Sequence, residues 1–184
     1  YKAVNRIICL VLPDKQFHIN ILDEATDEFV VPYNADPISL IPARRPIGKG
    51  LSEYVMKLGR AVQITPEDQK RLEQIGEYNL AVVQKVQPRH YLGAPLIDSQ
   101  GKPFGTISLI QMGTDNPFRS EDIRVLSIIA AQVSMAILRK RAEEELRNTD
   151  DHLRKLIHYA SAPIIVWNPD FTISRFNRAF EQLS

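Results

Sequence analysis

Apolar positions in the first part of the chain change their period at recognisable points, and each change marks a predicted element. Residues 1–12 carry apolar side chains at helical spacing and are followed by Pro13, which predicts a short amphipathic helix. From residue 17 apolar and polar positions alternate, and a second β-rich run follows at residues 29–33. We interpret these two runs as a hairpin whose turn is the acidic stretch 23–28.

Prolines, glycines and capping residues divide the next part of the chain. Residues 34–50 contain several of these breakers and predict a loop rather than a regular element. Loops of this length in compact domains are often functional. A helical stripe then runs over residues 51–58 and is closed by Gly59. A short strand at residues 61–64 and a helix that begins after Thr65 follow it.

A second hairpin is predicted from two β-rich runs at residues 90–97 and 104–111, separated by the turn 98–102. Two hairpins in one domain indicate an antiparallel sheet. The next element begins at Ser120 and meets neither proline nor glycine before Pro163, so it predicts a long helix.

The long helix has two parts with different apolar patterns. Its first part carries a wide stripe that suits packing on a sheet. Its second part keeps a narrow seam with steps of three and four residues and one extra step of four, which is typical of a coiled coil with a stutter. The seam consists of Met135, Leu138, Ala142, Leu146, Thr149, Leu153, Leu156 and Ala160. We therefore predict a parallel homodimer through the helix 120–160.

Composition excludes several classes of protein. The 23 Lys and Arg residues nearly balance the 22 Asp and Glu residues, and the net charge of +1 argues against a nucleic-acid partner. No apolar run is long enough to span a bilayer, so we expect no membrane contact by this segment. The one cysteine, Cys9, excludes an internal disulfide framework and agrees with a cytoplasmic location, although the intact protein could be anchored elsewhere. The first residue is Tyr1 rather than Met, which suggests a segment of a longer protein.

Four stretches, in their order, resemble a GAF domain. They are Ile47 to Val55, Tyr91 to Ile97, Phe104 to Ile107, and Phe118 to Asp122 leading into Leu126. The resemblance implies an α+β fold with a central antiparallel sheet flanked by helices on one face and a small-molecule pocket on the other face. We assign residues 1–138 to this GAF-like domain and residues 139–160 to a signalling coiled-coil helix.

The last part of the chain, residues 161–184, resembles the beginning of a PAS domain. The evidence is an apolar hairpin followed by Asn177-Arg178-Ala179-Phe180. A GAF domain, a signalling helix and a partial PAS hairpin together resemble the input half of a sensor histidine kinase. Diguanylate cyclases and transcriptional activators use the same inputs, and a ligand-free module that only pairs the helices is a further alternative. In each case we expect the segment itself to be regulatory, without catalytic residues.

Known cofactor motifs find little support in the sequence. There is no phosphate-binding glycine loop, zinc-protease motif or cysteine cluster, and the four histidines are scattered. The resemblance to cyclic-nucleotide-binding GAF domains breaks down at Pro117 and Ile123, where lysine and glutamate are expected. Cys9 lies in an apolar stripe, so bilin attachment is not supported. His18 and His90 are more simply explained as structural or partly exposed histidines than as haem ligands, and no metal site is expected.

A small-molecule pocket of unspecified chemistry remains as the hypothesis. Arg44 and Arg45 could offer paired donors to an anionic metabolite, or could be solvated loop charges. His18 lies on the opposite sheet face from Phe17 and Ile19 and could line the pocket. The remaining candidate pocket residues are three tyrosines, Tyr33, Tyr54 and Tyr91.

Overall fold

The computed structural model describes residues 16–34, 43–79, 90–111 and 118–182. The predicted helix over residues 1–12, including Cys9, lies outside these ranges. The chain divides into two compact units, Tyr1–Ala136 and Ile137–Ser184.

The first unit is built around a six-stranded antiparallel sheet with the order β3-β2-β1-β6-β5-β4. The strands are β1 Gln16–Asp23, β2 Glu28–Asn34, β3 Arg44–Pro46, β4 Val62–Ile64, β5 His90–Ile97 and β6 Pro103–Gln111. The helices are α1 Leu51–Leu58, α2 Pro66–Gln74 and the first part of α3 Ser120–Tyr159. The predicted antiparallel sheet with flanking helices is confirmed.

Strand β3 corrects the prediction that residues 34–50 form only a loop. Its backbone pairs with β2, and Phe29 lies opposite Arg45. Two features overcome the breaker residues. Pro46 occupies the last position of an edge strand, where a missing N–H is tolerated, and the Arg45 side chain binds Glu53 of α1. Residues 35–42 of the predicted loop lie outside the described ranges.

The ends of α1 and α2 follow the predicted capping signals. Gly59 ends α1 in the left-handed conformation, with φ of 64°, and its N–H donates to the carbonyls of Val55 and Met56. Thr65 caps α2 by accepting from the N–H of Asp68, whose carboxylate accepts from Thr65 N–H in return. These two caps therefore set where α1 ends before β4 and where α2 begins after it.

The two faces of the sheet differ in chemistry. Alternate residues of β1 and β6, namely Phe17, Ile19, Ile21, Ile107 and Leu109, form a buried apolar face. The residues between them, His18, Asn20, Thr106 and Ser108, are also buried and form a polar face. Because α1 packs over β5 and β6 through Ser52 and Val55, the polar face lies beneath α1.

Helix α3 runs without interruption for 40 residues, as predicted. Leu126, Ala130 and Val133 are buried, and Ser134 Oγ accepts a hydrogen bond of 3.1 Å from Ile97 N–H. This bond holds the first part of α3 beside the end of β5. No helix in the described ranges is both long and apolar enough to cross a membrane.

The second unit contains the rest of α3, a two-stranded hairpin and a short helix. The hairpin is formed by β7 Ile165–Trp167 and β8 Ile173–Phe176, and the helix is α4 Arg178–Glu181. Asn177 caps α4 by accepting from the N–H of Phe180. The apolar hairpin predicted for residues 161–184 is therefore present as a local structure.

Candidate functional site

Strand pairing brings four polar side chains together on the face beneath α1. His18 lies opposite Ser108 and Asn20 lies opposite Thr106 in the β1–β6 ladder. Since alternate residues of a strand point to one face, all four lie on the same side of the sheet. None is more than 6% exposed.

Two further residues complete this group, and the set of His18, Asn20, Ser52, Tyr91, Thr106 and Ser108 is called the polar cluster below. Asn20 Nδ2 donates to Ser52 Oγ at 2.9 Å and to Thr106 Oγ1 at 3.2 Å. The Tyr91 hydroxyl lies 3.1 Å from Ser52 Oγ and 2.6 Å from Ser108 Oγ. A chain of hydrogen bonds thus ties the first turn of α1 to β1, β5 and β6.

Gly93 allows Tyr91 to reach across the sheet. A Cβ atom at Gly93 would lie 2.7 Å from Tyr91 Cε1 and 2.7 Å from Val55 Cγ2. Gly93 is also the partner of Ser108 in the β5–β6 ladder. The tyrosine ring therefore lies over Gly93, which places its hydroxyl beside Ser108.

The polar cluster contains one unsatisfied buried atom. Asn20 Oδ1 is inaccessible to solvent and has no hydrogen-bond partner. Turning the amide over would leave the nitrogen unpaired instead, so one end of this side chain lacks a partner in either orientation. Leaving a buried polar atom unpaired costs about 1–3 kcal/mol.

An ion pair borders the polar cluster on the β3 side. The Arg45 guanidinium donates to both Glu53 oxygens, at 2.5 and 3.1 Å, and Glu53 Oε1 also accepts from Gly48 N–H at 2.9 Å. The guanidinium lies 4.7 Å from the centre of the Phe29 ring. Both charged side chains are largely buried. Strand β3 and the start of α1 are thus fastened to each other.

The titratable members of the cluster are held in their neutral forms. Burial, followed by the positive charge of Arg45, lowers the pKa of His18 from 6.5 to about 4. Burial raises the pKa of Tyr91 to about 12, against the opposing effect of its hydrogen bonds with Ser108 and Ser52. At neutral pH the six residues therefore offer hydrogen-bonding groups without a net charge.

The structure brings only some of the predicted site residues together. His18 and Tyr91 belong to the polar cluster, and Arg45 borders it. Tyr54 is partly buried against the apolar core that includes Leu51 and Val55.

Two predicted residues lie elsewhere or are only partly described. Arg44 binds Asp23 at 2.6 Å and Glu28 at 3.1 Å on the exposed side of the sheet edge. Tyr33 pairs with Ile19 in the β1–β2 ladder, and its side chain lies outside the described atoms. Both guanidinium groups of the predicted donor pair are thus engaged by carboxylates of this chain.

Sequence reasoning missed Asn20, Ser52, Thr106 and Ser108 as site residues. A signal was present, because polar residues alternate with apolar ones in both β1 and β6. Such alternation usually marks a solvent-exposed face. Among the described residues, no group of three or more His, Cys, Asp and Glu side chains is placed to bind a metal ion.

Comparison with known proteins places the first unit among GAF domains. The GAF domain family matches residues 8–137. A search of curated proteins found no match. Solved structures under 25% identical to this chain share its fold, and three of them come from proteins with different roles.

The first is a methyl-accepting chemotaxis protein, residues 122 to 287, with a TM-score of 0.61, 15% identity, and coverage of 74% of this chain and 85% of that chain. The second is a domain of a protein described as a two-component sensor histidine kinase from Sinorhizobium meliloti 1021, with a TM-score of 0.55, 17% identity, and coverage of 80% and 94%. The third is the free methionine-R-sulfoxide reductase from Neisseria meningitidis in complex with its substrate, with a TM-score of 0.57, 16% identity, and coverage of 75% of each chain.

These neighbours come from a chemotaxis protein, a protein described as a sensor kinase and a reductase, so they establish the fold and leave the activity to the residues of this chain. The family match itself covers more than half of the sequence and includes every element of the six-stranded sheet. The chain therefore belongs to the GAF domain family.

Proposed function

We propose that this GAF domain is the sensory input of a multidomain signal-transduction protein, a sensor histidine kinase in the first instance. A small molecule binds over the polar cluster, and α3 carries the resulting change toward an output domain through a parallel homodimer in the cytoplasm. The segment acts as a regulator rather than as an enzyme. Inputs of a diguanylate cyclase or a transcriptional activator would use the same arrangement.

The observation that supports ligand binding is the buried polar face. Six polar side chains occupy a position where apolar residues would add stability, and one of them carries an unpaired atom. Polar networks of this kind are costly unless they are fully satisfied. A ligand that supplies a hydrogen-bond donor to Asn20 would complete the network.

The contacts of α1 supply a route from the ligand to the rest of the domain. Ser52 bonds Asn20, and Glu53, the next residue, holds both Arg45 and Gly48. Asn20 Oδ1 is closed to solvent, so a ligand reaches it only when part of its surroundings moves. We infer that α1 is the part that shifts, because Ser52 of α1 bonds the same amide. Ligand binding would therefore move the start of α1 together with β3.

The exposed apolar seam of α3 supports the homodimer. Four members of the seam, Met135, Leu146, Leu153 and Leu156, are each more than half exposed. A narrow apolar stripe on a long helix is buried most simply by a second copy of the same helix. The hairpin β7–β8, whose sequence resembles the start of a PAS domain, would receive the signal at the end of this helix.

Ligand binding can be tested by a thermal-shift screen of a metabolite library against the whole chain. We expect at least one compound to raise the melting temperature, because a ligand that binds the folded state stabilises it. Asn20→Ala should abolish that shift. Ile107→Val, on the apolar face of the adjacent strand, should keep it. A screen in which no compound raises the melting temperature would favour a ligand-free dimerisation module.

Dimer formation can be tested by light scattering at tens of micromolar protein. The wild type should be a dimer, Leu153→Lys should weaken it, and the matched control Asn148→Lys, which lies off the seam, should not. A monomeric wild type would contradict relay through paired helices.

A further inference from the structure

One buried side chain, that of Asn177, makes four hydrogen bonds within the second unit, three to residues 160–164 and one to α4. Its Nδ2 donates to the carbonyls of Ala160 and Ala162, at 3.1 and 2.9 Å. Its Oδ1 accepts from the N–H groups of Ile164 and Phe180, at 2.8 and 3.2 Å. An asparagine side chain offers two donor hydrogens and an oxygen with two lone pairs, so its full capacity is used. Asn177 is 1% exposed.

These bonds fix the connector between α3 and the hairpin. The helix ends at Tyr159, and the last carbonyls of a helix have no partner within it. Asn177 caps the first carbonyl after that end, Ala160 O, from 17 residues further along the chain. It also holds Ile164 twice, since its own backbone N–H donates to Ile164 O at 3.1 Å. The connector therefore has little freedom while these bonds persist.

Apolar packing gives the hairpin much less support. Trp167, Ile173 and Phe176, three of its large apolar side chains, are each about half exposed. A two-stranded hairpin is at best marginally stable without further contacts. The hydrogen bonds of Asn177, the residue directly after β8, tie the connector 160–164 to the end of the hairpin and to α4.

We propose that Asn177 is a positioning residue that locks the end of α3 to the β7–β8 hairpin, so that helix and hairpin move as one body. The inference extends the proposed relay and rests on it for its biological meaning. A rotation or shift at the end of α3 would reach the hairpin without being absorbed in the five-residue connector 160–164. Small displacements are transmitted in this way when the parts between two elements are rigid.

The test uses Trp167, which lies in β7 and is the only tryptophan of the chain. Time-resolved fluorescence anisotropy of the whole chain reports whether the hairpin tumbles with the protein or moves independently. Asn177→Asp keeps the oxygen that accepts from Ile164 and Phe180 but loses both donors to Ala160 and Ala162. We expect the amplitude of the fast anisotropy decay to rise at least about twofold in this variant.

Asn168→Ala is the matched control. The Asn168 side chain bonds Thr172 Oγ1 within the hairpin turn, at 3.0 Å, and this variant should keep the wild-type decay. Hydrogen exchange at the Phe180 amide shows whether α4 and its cap survive in Asn177→Asp, and protection there should remain.

Three results would overturn the proposal. The first is an unchanged anisotropy decay in Asn177→Asp, and the second is a large fast component of the decay already present in the wild type. The third is loss of hydrogen-exchange protection at the Phe180 amide in Asn177→Asp, which would make Asn177 a residue that only maintains the local structure. The measurement needs no ligand. Failure to find a ligand would therefore sink the sensory proposal without changing this result.

Discussion

The two faces of the central sheet are buried to the same degree, yet they do different work for the protein. Ile107 and Leu109 on one face and Thr106 and Ser108 on the other are all fully buried residues of the same strand. Burying an apolar side chain stabilises the fold by about 1.5–3 kcal/mol. Burying a polar one recovers little more than the cost of removing it from water, even when it is hydrogen bonded. Alternate residues of β6 thus contribute separately to the stability of the fold and to the candidate site.

The test of the two faces with the largest expected effect substitutes two adjacent residues of β6. Ile107→Ala should lower the free energy of unfolding by about 2–5 kcal/mol, because it removes buried apolar atoms and leaves a cavity. Thr106→Val nearly keeps the shape but leaves one buried Asn20 N–H without its acceptor, so we expect it to cost about 1–2 kcal/mol. Urea unfolding of both variants measures the difference. Equal losses would show that the polar face carries as much stability as the apolar one.

A second test exploits the neutral histidine of the polar face. The pKa of His18 is lowered from 6.5 to about 4, so between these values the unfolded chain binds a proton that the folded chain does not. The free energy of unfolding is therefore unaffected by His18 above about pH 6.5. It decreases as the pH drops toward 4, by about 3 kcal/mol in total.

Urea unfolding of the wild type and of His18→Gln at about pH 7.5 and about pH 4 isolates the contribution of His18. The variant should lose less stability on acidification than the wild type. If both proteins lose the same amount, His18 is not held neutral by burial in the folded state.

The smallest expected effect concerns the hydroxyl that bridges α1 and the sheet. Tyr91→Phe removes the partner shared by Ser52 and Ser108 and should cost about 1–2 kcal/mol. Tyr54→Phe, in a tyrosine that packs against the same apolar core, should cost less than about 0.5 kcal/mol. Thermal denaturation of the two variants checks the order. A larger loss of stability for Tyr54→Phe would show that the Tyr91 hydroxyl is not the main polar link between α1 and the sheet.

Much of the fold could be predicted from local signals. Alternation in β1 and β6, the Thr65–Pro66 start of α2 and the closing glycine of α1 all act over a few residues, and the structure agrees with each. Strand β3 could not be found in this way. Its pairing with β2 and the bond from Arg45 to Glu53 are tertiary contacts that override the local preference of a proline-rich segment.

The candidate site was harder to predict because its members are far apart in sequence. Asn20 meets Ser52 and Thr106, which lie 32 and 86 residues away. The alternating pattern correctly separates the two faces of β1 and β6. It does not tell whether the polar face meets water or a helix, and this depends on where α1 packs.

The position of the Tyr91 ring over Gly93 also limits how the sequence can drift during evolution. Any side chain at position 93 would collide with the ring or with Val55, and a smaller residue at position 91 would remove the hydroxyl between α1 and the sheet. Neither position can change alone without loss. In relatives that keep this link between helix and sheet, a tyrosine at the first position should therefore be inherited together with a glycine two residues later.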